Sequence, residues 1–268
     1  MSIFRTTRIS NPKYELGGIR QITCKSPALH KRVDCSVFIP EEAKSQSDVP
    51  VIVLLHGVYG SHFSWNMGAG AYQTLQHMIR SQEVKPFILV TPSDGLWGDG
   101  SGYVDHGVEN YEAWIGEELP QLIEQEIDQV SQESRFYIGG LSMGGWGAFW
   151  IGLQYDRYQA LSAHSAITHI DEMTQFVEED WSLWQELKGI TSIDELISTM
   201  TDLPPMRFDC GTTDQLIDGN RALHDYLLQR HIKHQFDELE GSHEWPYWEK
   251  NVRRSFEFFD DIERSYMP

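Results

Sequence analysis

Three residues able to do acyl-transfer chemistry, Ser142, Asp214 and His243, each stand just past a short β-favouring run of this chain. Ser142 lies in Gly140-Leu-Ser-Met-Gly144, which fits G-x-S-x-G. That pattern marks a tight strand-to-helix elbow holding a serine hydroxyl at the top of a sheet. A chance match to three fixed positions is the bland alternative. The run Phe136-Tyr-Ile138 before the turn, and Trp146, Ala148, Phe149, Trp150 and Leu153 after it, favour the elbow. A serine hydroxyl is a poor nucleophile until a base takes its proton, so Ser142 needs a histidine and the histidine needs an orienting carboxylate. In a sheet wound this way the partners follow in the order serine, acid, histidine. Asp214 leads for the acid, ahead of Asp209, which falls inside a strand, and Asp218, a turn into a helix. His243 is the expected base. His56, at a strand end, reads as a loop brace, while His164 and His169 precede the acid in the chain.

The oxyanion formed on attack needs two preorganised N–H donors. Met143, directly after the serine, is expected to supply one and Val58, in His56-Gly-Val-Tyr-Gly60, the other. Trp97, Trp181 and Trp184 lie in segments able to reach the mouth of the site, whereas Trp146 reads as core. Asp94, Asp99 and Asp105 share a glycine-rich loop that could take calcium, but they fit no EF-hand spacing, so no metal is expected.

The elements that must position these residues alternate. An opening antiparallel hairpin is expected over 19–25 and 33–39, followed by buried strands over 51–55 and 87–90. Tyr72, Leu75 and Ile79 mark a helix, and a second runs from Tyr111 to Ile127, where Pro120 should kink it. After the elbow come strands over 160–166, 206–210 and 235–239, a helix over 216–229, and a closing amphipathic helix through Trp245, Val252 and Phe259. Only 168–201 breaks the alternation and reads as a small helical insertion. The expected fold is therefore α/β, a mostly parallel sheet with helices on both faces, and its chemistry belongs at the carboxyl ends of the strands.

A chain of 268 residues suits one large domain. Its formal net charge of −19 argues against nucleic acid and anionic membranes as partners. No Lys or Arg occurs between Lys85 and Arg135, an interval rich in Asp and Glu. That interval reads first as a solvated face, and second as a field disfavouring anionic substrates. Cys24, Cys35 and Cys210 are too scattered for a disulfide framework or a zinc site; buried free thiols are expected. The sequence shows neither a membrane-length apolar run nor an N-terminal secretory pattern, so the expectation is a cytoplasmic protein. A homo-oligomer is compatible with it.

The chain resembles the esterase family of α/β-hydrolases that includes S-formylglutathione hydrolase (esterase D), bacterial tributyrin and acetyl esterases, feruloyl esterases and mycolyltransferases. The resemblance rests on Leu54-Leu-His-Gly57 with Trp65, Glu118-Leu-Pro120, Gly140-Leu-Ser-Met-Gly-Gly145, Cys210-Gly-Thr-Thr-Asp214 and His243-Glu-Trp-Pro-Tyr-Trp248, in order along nearly the whole chain. It implies a Ser142–Asp214–His243 triad, an oxyanion hole at Val58 and Met143, and no cofactor. The loop Ser93-Asp-Gly-Leu-Trp-Gly-Asp-Gly-Ser-Gly102 departs from the formylglutathione enzymes. The expected activity is a serine carboxylesterase on short, soluble esters. A thioesterase or acyltransferase on the same residues, or a silent hydrolase fold used for binding, are the rival readings.

Overall fold

The computed structural model describes residues 2–180 and 189–266. Its strands are β1 (Thr7–Ile9), β2 (Ile19–Lys25), β3 (Arg32–Phe38), β4 (Val51–Leu55), β5 (Ile88–Pro92), β6 (Phe136–Leu141), β7 (Tyr158–His164), β8 (Met206–Gly211) and β9 (Gln235–Leu239). They form one sheet in the order β1-β2-β3-β5-β4-β6-β7-β8-β9. The pairings from β1 through β3 to β5 are antiparallel, and those from β5 to β9 are parallel. β1 was not foreseen. Three residues with one half-buried side chain carry no readable pattern, and only pairing with Ile22–Cys24 defines them.

The helices are α1 (Ser64–Gly68), α2 (Ala71–Arg80), α3 (Tyr111–Ala113), α4 (Leu119–Glu126), α5 (Met143–Gln154), α6 (Ile193–Ser198), α7 (Ile217–Gln229) and α8 (Trp245–Ser265). Strand alternation explains why both faces of the sheet must be covered. In β4, Val51, Val53 and Leu55 join the core beneath α4, α5 and α7, while Ile52 and Leu54 join the core beneath α2 and α8. α5 runs between sheet and neighbours with Met143 to Leu153 all buried. Each large side chain buried there contributes about 1.5–3 kcal/mol of transfer free energy.

Pro120 falls in the first turn of α4. A π-helical turn over Trp114–Glu118 links α3 to α4, so the missing proline N–H falls where the ladder already shifts register. The Ile115 carbonyl beside this irregularity accepts from the Tyr158 hydroxyl at 2.7 Å. Cys24 and Cys35 do not pair across the hairpin, in keeping with the expected free thiols. Their partners across the hairpin are Val33 and Ile22, and all three cysteines are buried free thiols. Within 168–201 the described residues include a 3-10 turn, Ile170–Gln175, and α6. Among the described residues no helix is long and apolar enough to cross a membrane.

Candidate active site

β6 ends at Leu141, and Ser142 follows with φ 54° and ψ −120° before α5 begins. A non-glycine residue held in this region stores strain that only its surroundings can enforce. The flanking glycines supply the room. A Cβ on Gly140 would lie 2.1 Å from the Gly144 carbonyl oxygen, and one on Gly144 would lie 2.3 Å from that of Leu55. The outcome is a serine at the amino end of a helix, where backbone N–H groups lack intrahelical acceptors.

β8 leads to Asp214 and β9 leads to His243, and both side chains reach the serine. His243 Nε2 lies 3.0 Å from Ser142 Oγ. Its Nδ1 lies 3.0 Å from one Asp214 oxygen and 3.1 Å from the other. With Nδ1–H donating to the carboxylate, Nε2 is left to accept the serine proton. Burial works to raise the Asp214 carboxyl, but His243, the Leu216 N–H and Ser165 outweigh it and hold it below the usual aspartate range. Asp214 is 2% exposed, so its charge acts on His243 with little water between them. Such an array can move a proton off a hydroxyl and return it to a leaving group.

The loop after β4 passes close to Ser142. A Cβ on Gly57 would stand 3.3 Å from the Ser142 Cβ, and Trp65 Nε1 ties the strand end by donating to the Leu55 carbonyl at 2.8 Å. Val58 follows Gly57, and Met143 follows Ser142. Among the described residues, neither backbone N–H donates to a backbone acceptor. Val58, Tyr59, Leu141, Phe176, Trp245 and Trp248 help line a cavity of about 510 Å³ that opens on Ser142 and His243. Its walls are mainly apolar and aromatic, and Glu244 is the acidic residue among them.

Sequence reasoning passed over the aromatic residues lining this cavity. Phe176 and Trp248 pack their rings on His243 at centroid distances of 5.1 and 5.0 Å. Trp245 and Trp248 read only as a helix face, although their closeness to His243 in the chain was a usable signal. Trp97 does not line the cavity. Its half-buried ring packs edge-on against His106 at 4.6 Å. Trp181 and Trp184 lie outside the described residues.

The competing residues are engaged elsewhere. His56 Nδ1 donates to the Gly57 carbonyl at 2.7 Å and its Nε2 accepts from the Asp94 N–H at 3.2 Å, bracing two loops. His169 caps the 3-10 turn by accepting from Asp171. Asp218 sits on the surface beside Arg221. The three loop aspartates do not converge. Asp94 accepts from the Leu96 and Ser101 N–H groups, Asp99 from that of Glu178, and Asp105 from Gly107 and Asn110. His164 and Asp209, by contrast, meet each other. His164 Nδ1 lies 2.9 Å from Asp209, and its Nε2 lies 2.7 Å from Ser255 Oγ, in a fully buried site.

The esterase family model matches residues 26–259, most of the chain. A curated acetyl esterase from Caldicellulosiruptor saccharolyticus is 26% identical over 273 residues, covering 91% of this chain and 98% of that one. Among solved structures, a ferulic acid esterase aligns at TM-score 0.77 and 24% identity, covering 97% of this chain and 99% of the other. An S-formylglutathione hydrolase from Agrobacterium tumefaciens aligns at TM-score 0.73 and 18% identity, covering 98% and 99%. The chain belongs to the esterase family of α/β-hydrolases and is a carboxylic ester hydrolase.

Proposed function

We propose that the chain is a serine carboxylesterase that hydrolyses short-chain or small soluble esters through an acyl-enzyme. One observation carries the reading: the hydrogen-bonded line from Ser142 Oγ through His243 to Asp214, placed at the floor of an apolar cavity. Ser142 attacks the ester carbonyl while Nε2 of His243 takes its proton. The developing oxyanion is received by the Val58 and Met143 N–H groups, with the amino end of α5 adding its positive potential. Collapse expels the alcohol, which leaves with the proton from His243. Water then enters, gives a proton to His243 and attacks the acyl carbon, and the carboxylic acid departs as Ser142 is restored. Asp214 stays ionised and keeps His243 in the productive tautomer.

The shortness of the insertion over 168–201 favours short acyl groups. The acidic surroundings favour an uncharged ester over an anionic thioester such as formylglutathione. Glu244 lines the cavity, and Asp99 and Glu178 lie close enough to Tyr59 to raise its hydroxyl, after burial as the first cause. A cytoplasmic location agrees with three buried free thiols, which a reducing compartment preserves.

Turnover of p-nitrophenyl acetate, butyrate and octanoate by the purified protein and by Ser142→Ala tests the proposal. Acetate or butyrate should be preferred, and the variant should lose at least about 10³-fold in kcat. Equal rates in both proteins would remove Ser142 as nucleophile. Rates that climb toward octanoate would remove the short-chain reading.

A further inference from the structure

The loop that carries His243 is short, running from the end of β9 to the start of α8, and it has little structure of its own to fix a ring position. Its near side is held to the loop of Asp214, because the Thr213 N–H and hydroxyl both donate to the Gly241 carbonyl, at 3.0 and 2.9 Å. Its underside rests on Tyr247. Gly241 has φ 144°, and a Cβ there would lie 2.5 Å from the Tyr247 ring, so loop and ring are in direct contact. Tyr247 is itself tied down, since its hydroxyl donates to Asp209 Oδ1 at 2.7 Å.

Asp209 is a firm anchor. It is 0% exposed and also accepts from Arg207 at 2.6 Å and pairs with His164 at 2.9 Å. Its main chain belongs to β8, the strand that delivers Asp214 five residues later, and its carbonyl accepts from the Ser165 N–H at 2.7 Å. Ser165, held at φ 47°, in turn receives the Trp248 indole N–H at 3.3 Å. Tyr247 and Trp248, on the first turn of α8, are therefore pinned to the ends of β8 and β7. Charge-assisted bonds in a dry interior are the stiffest links available for this purpose.

We propose that Tyr247, anchored on the Asp209 carboxylate, is a positioning residue that sets the distance between His243 and its two partners. One buried carboxylate then fixes both halves of the proton path, Asp214 through β8 and His243 through Tyr247. The Tyr247 hydroxyl is a permanent donor, because burial and then the Asp209 charge push its ionisation far above the ordinary phenol range. The inference rests on the serine-esterase reading.

Tyr247→Phe tests it by removing one oxygen while leaving the ring beneath Gly241. Tyr137→Phe is the control. Tyr137 is equally buried and donates to the buried Glu263 at 2.6 Å, at the opposite end of β6 from Ser142. Each protein is titrated with a fluorophosphonate to count competent serines, then assayed with p-nitrophenyl acetate. Tyr247→Phe should lower kcat per titrated site about tenfold with KM within about twofold, since small misplacements of a proton-transfer group are costly. Tyr137→Phe should lower Tm and leave kcat per titrated site unchanged. Unchanged kcat in Tyr247→Phe, an equal fall in both variants, or a change confined to KM would each overturn the inference while the reading of Ser142 stands. A wild-type protein that neither turns over ester nor reacts with the probe at Ser142 would overturn both.

Discussion

The molecule contains two arrays with the same three side-chain types at nearly the same spacing. Ser142, His243 and Asp214 meet at 3.0 and 3.0 Å, and Ser255, His164 and Asp209 at 2.7 and 2.9 Å. Distances therefore do not separate a reactive site from a structural one. Three other features do. Ser142 stands at the amino end of α5, whose first N–H groups are available to an oxyanion, whereas Ser255 lies inside α8, where the backbone donors are already used. A cavity opens on Ser142 and His243, while Ser255, His164 and Asp209 are all 0% exposed. Finally, Arg207 sits against Asp209 and competes with His164 for its charge, while Asp214 is bonded by neutral donors besides His243. On the proposed reading, the first array passes a proton to a substrate, and the second holds strands and helix together.

The sharpest way to break this comparison is to remove each serine oxygen in turn. Ser142→Ala is expected to abolish turnover, by about 10³-fold or more, with Tm nearly unchanged. Ser255→Ala is expected to keep kcat per folded molecule within about threefold. It should lower stability by about 1–3 kcal/mol, because His164 Nε2 and Ser162 then lose a buried partner. Steady-state rates beside urea unfolding separate the two outcomes, and a large activity loss in Ser255→Ala with intact stability would end the distinction drawn here.

The same contrast applies to the acids at a smaller scale. Asp214→Asn should lower kcat by about 10³–10⁴-fold through the wrong histidine tautomer, with a modest effect on stability. Removing the cation beside the other acid, in Arg207→Met, should act in the opposite sense. Breaking a buried pair from one side typically destabilises by about 3–5 kcal/mol, and Arg207 is 2% exposed. Its kcat per titrated site should stay within about tenfold. Calorimetry with active-site titration would show the crossing of the two effects, and parallel losses in both variants would remove it.

Much of this was legible in the sequence, for identifiable reasons. The elbow at Ser142 is written in glycines that sterics demand, and the positions of Asp214 and His243 follow from strand ends that apolar runs reveal. The mostly parallel character of the sheet follows from alternation with helices. What was not legible depends on contacts distant in sequence. His164, Asp209, Arg207 and Ser255 come from two strands and a helix, and no local pattern announces that they meet. Asp209 and His164 were weighed as rivals for catalytic roles because residue type and strand position alone cannot distinguish a buried clamp from an active site. Phe176 lies in the stretch that breaks the alternation, where periodicity says least about which side chains turn inward. The π-helical turn before Pro120 likewise meets the buried Tyr158 hydroxyl, a partner far away in the chain.

The smallest expected effect concerns acid. In the folded protein the carboxyls of both Asp209 and Asp214 are held below the ordinary aspartate value of about 3.9. For Asp209, burial pushes upward, but His164 and Arg207 outweigh it, and Tyr247 adds a hydrogen bond. A depressed folded-state value means that the unfolded chain binds the proton more readily. The stabilisation is then present in full above the unfolded value and is lost as pH falls through it toward the folded one. The advantage of wild type over Asp209→Asn should therefore be constant near pH 6 and should shrink below about pH 4. Asp214→Asn should show the same sign with a smaller change, because one histidine rather than a histidine and an arginine depresses its acid. Urea midpoints measured from pH 6 to pH 3 would show both slopes. A gap between wild type and Asp209→Asn that holds steady to pH 3 would mean that the carboxylate is not the charged centre of the buried array, and the anchor proposed for Tyr247 would lose its footing.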